Sequence, residues 1–305
     1  MKKLCYVLMS SLLVVQWIEP YGLRAVNLGL TNFLDGGPLK PRSGWYWVNY
    51  NQYYYTSKFL NAQGQPLGGV ESPRYNLLSN INQLQYESAR RVLGARLGFS
   101  GSIAVVLLSH IQKNVLDISS SGAGWTDLRL DLFLQWDPVM FRGRAVYVNN
   151  VDFGVFFPTG KNEQPCHDIN PGGNVYAIDP YWAATVYLRE DWTIAWRLHY
   201  LWATENPATH VHAGDAVHMN YSTEYQFTQH FHAGINGYYL QQLHDNKLFG
   251  QKVPNSRERV VGLGPGIIYF VPDRNLIILG HTYGEFHALN RTQGFSAVLQ
   301  IIKYF

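Results

Sequence analysis

Three runs of alternating residues hold the groups from which a site could be built. In "TDLRLDLFLQW" (126–136), Asp127, Arg129 and Asp131 fall on one face. In "DWTIAWRLHYLWAT" (191–204), Arg197 and His199 share a face, opposite Trp192, Ile194, Trp196, Leu198, Tyr200 and Trp202. In "AVHMNYSTEYQF" (216–227), His218, Asn220 and Glu224 are set together against Val217, Met219 and Tyr221. Asn236, His281, Glu285 and His287 occupy comparable positions further on. On an extended chain, side chains two residues apart point into the same space. Charges of both signs in one space allow two chemistries. They can pair across neighbouring strands and partly fill a polar interior, or they can stand on opposed walls and set up a transverse field. Pairing is the expectation for most of them.

Other groupings are weaker. Cys166, His167 and Asp168 are consecutive, so their side chains diverge, and they sit among Pro, Gly and Asn as in a loop. His210 and His212 supply two ligands at i and i+2, whereas structural and catalytic zinc sites need three or four converging groups. Ser109 and His110 are adjacent and point opposite ways on a strand. No serine has a credible base and orienting acid beside it. The expectation is no enzyme activity, no cofactor and no metal.

The whole chain bounds the setting. It has 305 residues, 15% aromatic content, only 15% charged residues and a formal net charge of +3. Capture of nucleic acid by charge is disfavoured. Lys2 and Lys3 precede the apolar run "LCYVLMSSLLVVQWI", and Ala25 offers a cleavage point, which reads as a signal peptide over residues 1–25. Cutting there removes Lys2, Lys3, Arg24 and Glu19 and brings the net charge to +1. Cys5 leaves with that segment, so Cys166 has no intrachain disulfide partner. No later stretch reaches the roughly 18 apolar residues of a membrane helix.

Helical periodicity is nearly absent, and period-two alternation recurs between clusters of Gly, Pro, Asn and Asp. About twelve segments show it: 44–57, 74–88, 92–111, 125–137, 144–158, 173–189, 191–204, 213–228, 230–243, 256–271, 274–289 and 294–305. Most exceed the roughly 9–11 residues with which a tilted strand crosses a bilayer. Brief links such as "RED" and "VPDR" alternate with long polar ones such as "PTGKNEQPCHDINPGG". Short turns on one rim and long loops on the other are expected of an outer-membrane barrel.

The expected fold is therefore an all-β, transmembrane, antiparallel up-and-down barrel of about 12 strands, with short periplasmic turns and long extracellular loops. Large apolar residues face lipid, and the polar face lines the lumen. Trp192 with Trp202, Trp125 with Trp136, and Tyr46 with Tyr54 are expected at the membrane interfaces. Closure leaves no backbone group unpaired in lipid. A soluble lipocalin-like carrier is the alternative fold. The chain ends in Phe305, with Ile301, Leu299, Ala297 and Phe295 before it, a signal for the outer-membrane assembly machinery.

Several stretches resemble the outer-membrane channel family of the meta-pathway of phenol degradation: "FPTG" (157–160), "NPGGNVYAIDPYWAATVYL" (170–188), "LHYLWATEN" (198–206), "HAGDAVHMNY" (212–221), "GINGYYLQQLHDNK" (234–247), "SRERVVGLGPGIIYF" (256–270) and "EFHALNRTQGF" (285–295). "NFLDGGPLKPRSGWYW" (32–47) is similar to the family's entry into the first strand. The similarity is collinear over nearly all of the chain after residue 25. It implies a monomeric barrel of about twelve strands acting as an outer-membrane channel, often for aromatic or hydrophobic small molecules, with no catalytic residues. The chain departs from the family in the 161–168 loop, so the resemblance does not fix the permeant.

The expected function is passive uptake of small hydrophobic or aromatic molecules across the bacterial outer membrane, in contact with its lipid and lipopolysaccharide. A closed structural or surface-display barrel and a lipid-modifying enzyme are the alternatives. The lumen is assigned to Asp127, Arg129, Asp131, Arg197, His199, His218, Asn220, Glu224, Asn236, His281, Glu285 and His287. Phe133 and Tyr238 fill space there or offer stacking faces. Gly262, Gly264 and Gly266 share one face, where they open room or ease bending. Residues 26–43 form a leader before the barrel of 44–305, either entering the lumen as a plug or remaining disordered.

Overall fold

The computed structural model of the protein describes residues 22–38, 42–67, 73–112 and 116–305. The expected signal segment up to residue 21, with Cys5, lies outside the described residues. Twelve long antiparallel strands close into a barrel. We number them β1 (Gly44–Phe59), β2 (Arg74–Val92), β3 (Ala95–Gln112), β4 (Leu128–Gln135), β5 (Arg144–Phe157), β6 (Tyr181–Tyr187), β7 (Trp192–Ala203), β8 (Ala216–Gln226), β9 (Phe231–Gln242), β10 (Arg259–Val271), β11 (Leu276–Leu289) and β12 (Thr292–Tyr304). Each pairs with its chain neighbours, and β1 pairs with β12 to complete the ring. Among the described residues no helix is long and apolar enough to cross a membrane.

The faces follow the alternation. In β7, Trp192, Ile194, Leu198, Tyr200 and Trp202 are exposed, while Thr193, Ala195, His199 and Leu201 are buried. In β4, Leu132 is 56% exposed and its neighbour Asp131 only 7%. In water this outer surface would leave a large apolar area solvated, at about 25 cal/mol per Å². Lipid removes that cost, and the closed ladder satisfies the backbone. At the rim near the chain's ends Trp45 lies 5.0 Å from Tyr86 and 5.8 Å from Phe99, forming part of an aromatic girdle.

β1 departs from the expected faces. Tyr46 is buried inside, and Tyr54 turns inward to donate to Glu285 Oε2 at 2.7 Å; neither stands in a girdle. Aromatics occupy both parities of "GWYWVNYNQYYYTSKF", so size could not tell its two faces apart.

Two strands are interrupted on the long-loop side. Gly124–Trp125 precedes β4, with Thr126 and Asp127 breaking the ladder, and Ala177–Ile178 precedes β6, with Asp179 and Pro180 between. Pro180 has no N–H to give the ladder. Both interruptions turn a buried aspartate inward.

Gly262 and Gly266 do face inward, and their space is taken. A Cβ at Gly262 would come 2.3 Å from the Tyr238 ring, and one at Gly266 would come 2.5 Å from Phe33. The glycines admit other side chains to the interior.

Candidate lumen site

The segment 22–38 runs inside the barrel from the long-loop end to the short-turn end. Leu23 N donates to Glu258 Oε1 at 3.0 Å. Further in, Gly29 N donates to Asn220 Oδ1 at 3.0 Å, and Tyr283 Oη donates to Gly29 O at 2.8 Å. Ser222 Oγ donates to Asn32 O at 2.7 Å. Phe33 packs on Ile268 and Leu279. Gly36 N donates to Thr185 Oγ1 at 2.9 Å, and Gly36 lies so close to the wall that a Cβ there would stand 2.3 Å from Val148 O.

The contacts begin before Val26. Arg24 Nη1 lies 3.2 Å from Asp127 Oδ2, and the guanidinium stacks 3.5 Å over the Phe156 ring. A chain cut after Ala25 lacks this pair. Asp127 then keeps the amide donors of Gly160 at 3.0 Å and Gly173 at 2.9 Å.

Two vestibules remain beside the segment. The inner one, of about 530 Å³, opens toward the short turns and is lined by Phe33, Leu34, Glu87, Tyr187, Glu224 and Phe270 among others. The outer one, of about 330 Å³, includes Asp127, Arg129, Asp131 and His199. Thr31, Tyr50, Gln83, Asp152, Tyr181 and Arg197 line both, and so mark the boundary between them, the neck of the barrel. Arg197 lies 4.4 Å over the Tyr181 ring and pairs with Asp35 of the inner segment at 3.1 Å.

Beside the neck is a network centred on one guanidinium. Arg129 Nε meets Asp131 Oδ1 at 2.5 Å, Nη1 meets Asp179 Oδ2 at 2.5 Å, and Nη2 meets Asp152 Oδ1 at 3.4 Å. Asp179 Oδ1 is also 3.1 Å from His199 Nδ1 and 3.0 Å from His218 Nε2, with the two imidazoles stacked at 4.1 Å. The contacts run across neighbouring strands, with three carboxylates sharing one guanidinium, and partner geometry of this kind lowers the cost of burying charge.

Asp179, His199 and His218 also have the spacing of metal ligands, their donor atoms lying within 4.8 Å of one another. The hydrogen-bonding arrangement accounts for them differently. One carboxylate oxygen takes both imidazoles, and Arg129 holds the other. A divalent ion there would have to sit beside a guanidinium.

Of the residues expected in the lumen, Asp127, Arg129, Asp131, Arg197, His199 and Glu224 line the vestibules. His218, Asn220, Asn236 and His281 are buried in the interior wall. His281 Nδ1 bonds Asn236 Oδ1 at 2.8 Å. Glu285 accepts from Tyr238 at 2.8 Å and from Gly294 N at 2.7 Å. His287 is different: it is exposed. Its φ of 53° marks a bulge that resets the alternation and brings Ala288 inward. Phe133 lines the inner vestibule over Gly98, and Tyr238 fills the space above Gly262.

Sequence reasoning missed Asp35, Tyr50, Gln83, Asp152, Asp179 and Tyr181. Asp152 shares its parity with the buried Asn150 on β5, and that alternation is the signal that points to it. Asp179 sits in the "DP" of a broken strand, where alternation says nothing.

The family model for the MetA-pathway of phenol degradation matches residues 58–301. No curated relative matches the chain in sequence. Among solved structures, the barrel is similar to a crystal structure of an outer-membrane channel from Pseudomonas putida F1. The TM-score is 0.77 at 14% identity, covering 92% of this chain and all of that one. It is also similar to the β-domain of the Bordetella autotransporter BrkA, with TM-score 0.50 and 9% identity, covering 87% of this chain and all of that one. The fold is that of the bacterial outer membrane, with its apolar face against lipid.

Proposed function

Since the chain belongs to the family of the MetA-pathway of phenol degradation, we propose that it is a passive channel for small hydrophobic or aromatic molecules. The observation that carries this reading is the neck. One set of six side chains borders both vestibules, so a single layer of side chains lies between the inner and outer spaces. Polar walls broken by aromatic faces favour weak, releasable contacts, as downhill passage requires. The segment 26–43 acts as a partial plug in this reading, because the described part of it occupies the lumen beside the neck. The barrel is a monomer, inserted through its terminal Phe305, and has no catalytic role.

Planar-bilayer recording with liposome swelling tests it. Aromatic acids, hydrocarbons and sugars should enter at different rates, aromatic compounds faster than sugars of similar size. Deleting residues 26–40 should raise the single-channel conductance. An unchanged conductance would remove the plug, and absence of current from both proteins would favour a closed structural barrel.

A further inference from the structure

Carboxylates outnumber guanidiniums six to two in the lining of the inner vestibule. Most of these acids have at least a share of a cation: Asp35 has Arg197, Asp191 has Arg189, Glu87 shares Arg96 with Asp137, and Asp152 shares Arg129 with Asp131 and Asp179. Glu190 is exposed at the rim. Glu224 is different. It is 2% exposed, and among the described residues no arginine or lysine stands within ion-pair distance of it. Its nearest basic neighbour is the His232 imidazole, 3.5 Å from Oε1. Thr193 Oγ1 donates to the same Oε1 at 3.1 Å. Glu224 Oε2 is buried and has no hydrogen-bond donor in the protein.

A buried carboxylate without a cation is costly unless something donates to it or neutralises it. The cavity beside Glu224 is large enough for a one-ring compound, since ligand pockets run from about 300 to 1,000 Å³. Tyr50, Phe133, Tyr187 and Phe270 contribute aromatic surface to it. Cations bind well over such faces when partly desolvated.

We propose that Glu224 is the counter-ion of a primary ammonium group and that the inner vestibule binds small aromatic amines. The ammonium pairs with the Glu224 carboxylate, and the ring lies against the aromatic wall. A neutral aromatic alcohol of the same size gains the ring contact without the charge. An aromatic acid meets the surplus of carboxylates. This rests on the channel reading for its role in permeation, while the binding itself does not.

The test adds phenethylamine, 2-phenylethanol or phenylacetate to the short-turn side of the protein in planar bilayers in KCl. Each variant is read against its own KCl current. Phenethylamine should interrupt the current at concentrations roughly tenfold below 2-phenylethanol. Glu224→Gln should erase that preference, and Glu224→Asp, which keeps the charge, should retain part of it. Equal interruption by amine and alcohol, or a preference that survives in Glu224→Gln, overturns the proposal. A barrel silent in KCl defeats the channel reading instead. Tryptophan-fluorescence titration of the detergent-solubilised protein with the same three compounds then decides. An amine preference lost in Glu224→Gln keeps the site, and no preference removes it.

Discussion

Asp35, in the segment threaded through the barrel, meets Arg197 of β7 at 3.1 Å, at the boundary between the two vestibules. Arg197 is also stacked on Tyr181, so one guanidinium ties the inner segment to the wall. Asp35→Asn removes the charge and keeps the shape. Breaking a buried pair strands the remaining charge, at a cost of about 3–5 kcal/mol in a dry interior. The lumen is partly wet, so roughly 2 kcal/mol is expected. Single-channel traces should show a noisier, larger current, because the segment loses its anchor. Current and stability equal to the parent's would mean that the pair does not hold the segment.

Gly262 leaves the space that the Tyr238 ring occupies. Gly262→Ala puts a methyl 2.3 Å from that ring and should cost roughly 1–3 kcal/mol of overpacking. The double variant with Tyr238→Ala should recover part of the loss, because the clashing ring is gone. Heat-modified migration on detergent gels, compared across parent, single and double variants, reads this directly. A single variant as heat-stable as the parent would show that the ring moves aside at no cost.

Leu198 stands near the middle of β7, exposed on the outer face, and its neighbour His199 is buried inside. Leu198→Arg therefore sets a charge in lipid and should destabilise the barrel by about 2–4 kcal/mol if it lies near the bilayer midplane. Urea unfolding from phosphatidylcholine vesicles measures it. No destabilisation would contradict the assignment of that face to lipid.

Glu258 lies in the loop before β10, where burial pushes its carboxyl up to about 7 against the opposing pull of Arg291. A carboxyl raised in the folded state binds its proton more tightly there than in the unfolded chain. Its contribution to stability is therefore fullest below the unfolded value near 4.5 and falls as pH rises through about 7. Melting of the parent should decline across that window, and Glu258→Gln should flatten the decline. Parallel curves for the two proteins would place the titration elsewhere.

The architecture was legible because lipid and lumen impose opposite demands on successive residues. Wherever a strand carries bulky apolar groups on one parity and polar groups on the other, as β4, β7 and β8 do, the sequence alone decided which side meets lipid. It also decided which rim carries the long loops, since turn length is written in the chain. Alternation failed where both parities look alike, as with Tyr46 and Tyr54, and where a bulge shifts the count, as at His287. Partnerships between distant residues were left to the tertiary structure. Asp35 reaches Arg197, Asp179 gathers Arg129, His199 and His218, and Glu224 is left without a cation, because closing the ring and threading residues 22–38 through it set these distances. Local periodicity fixes the direction in which a side chain points, whereas what it meets depends on closure and threading: Arg197 meets Asp35 of the inner segment, 162 residues away in the chain.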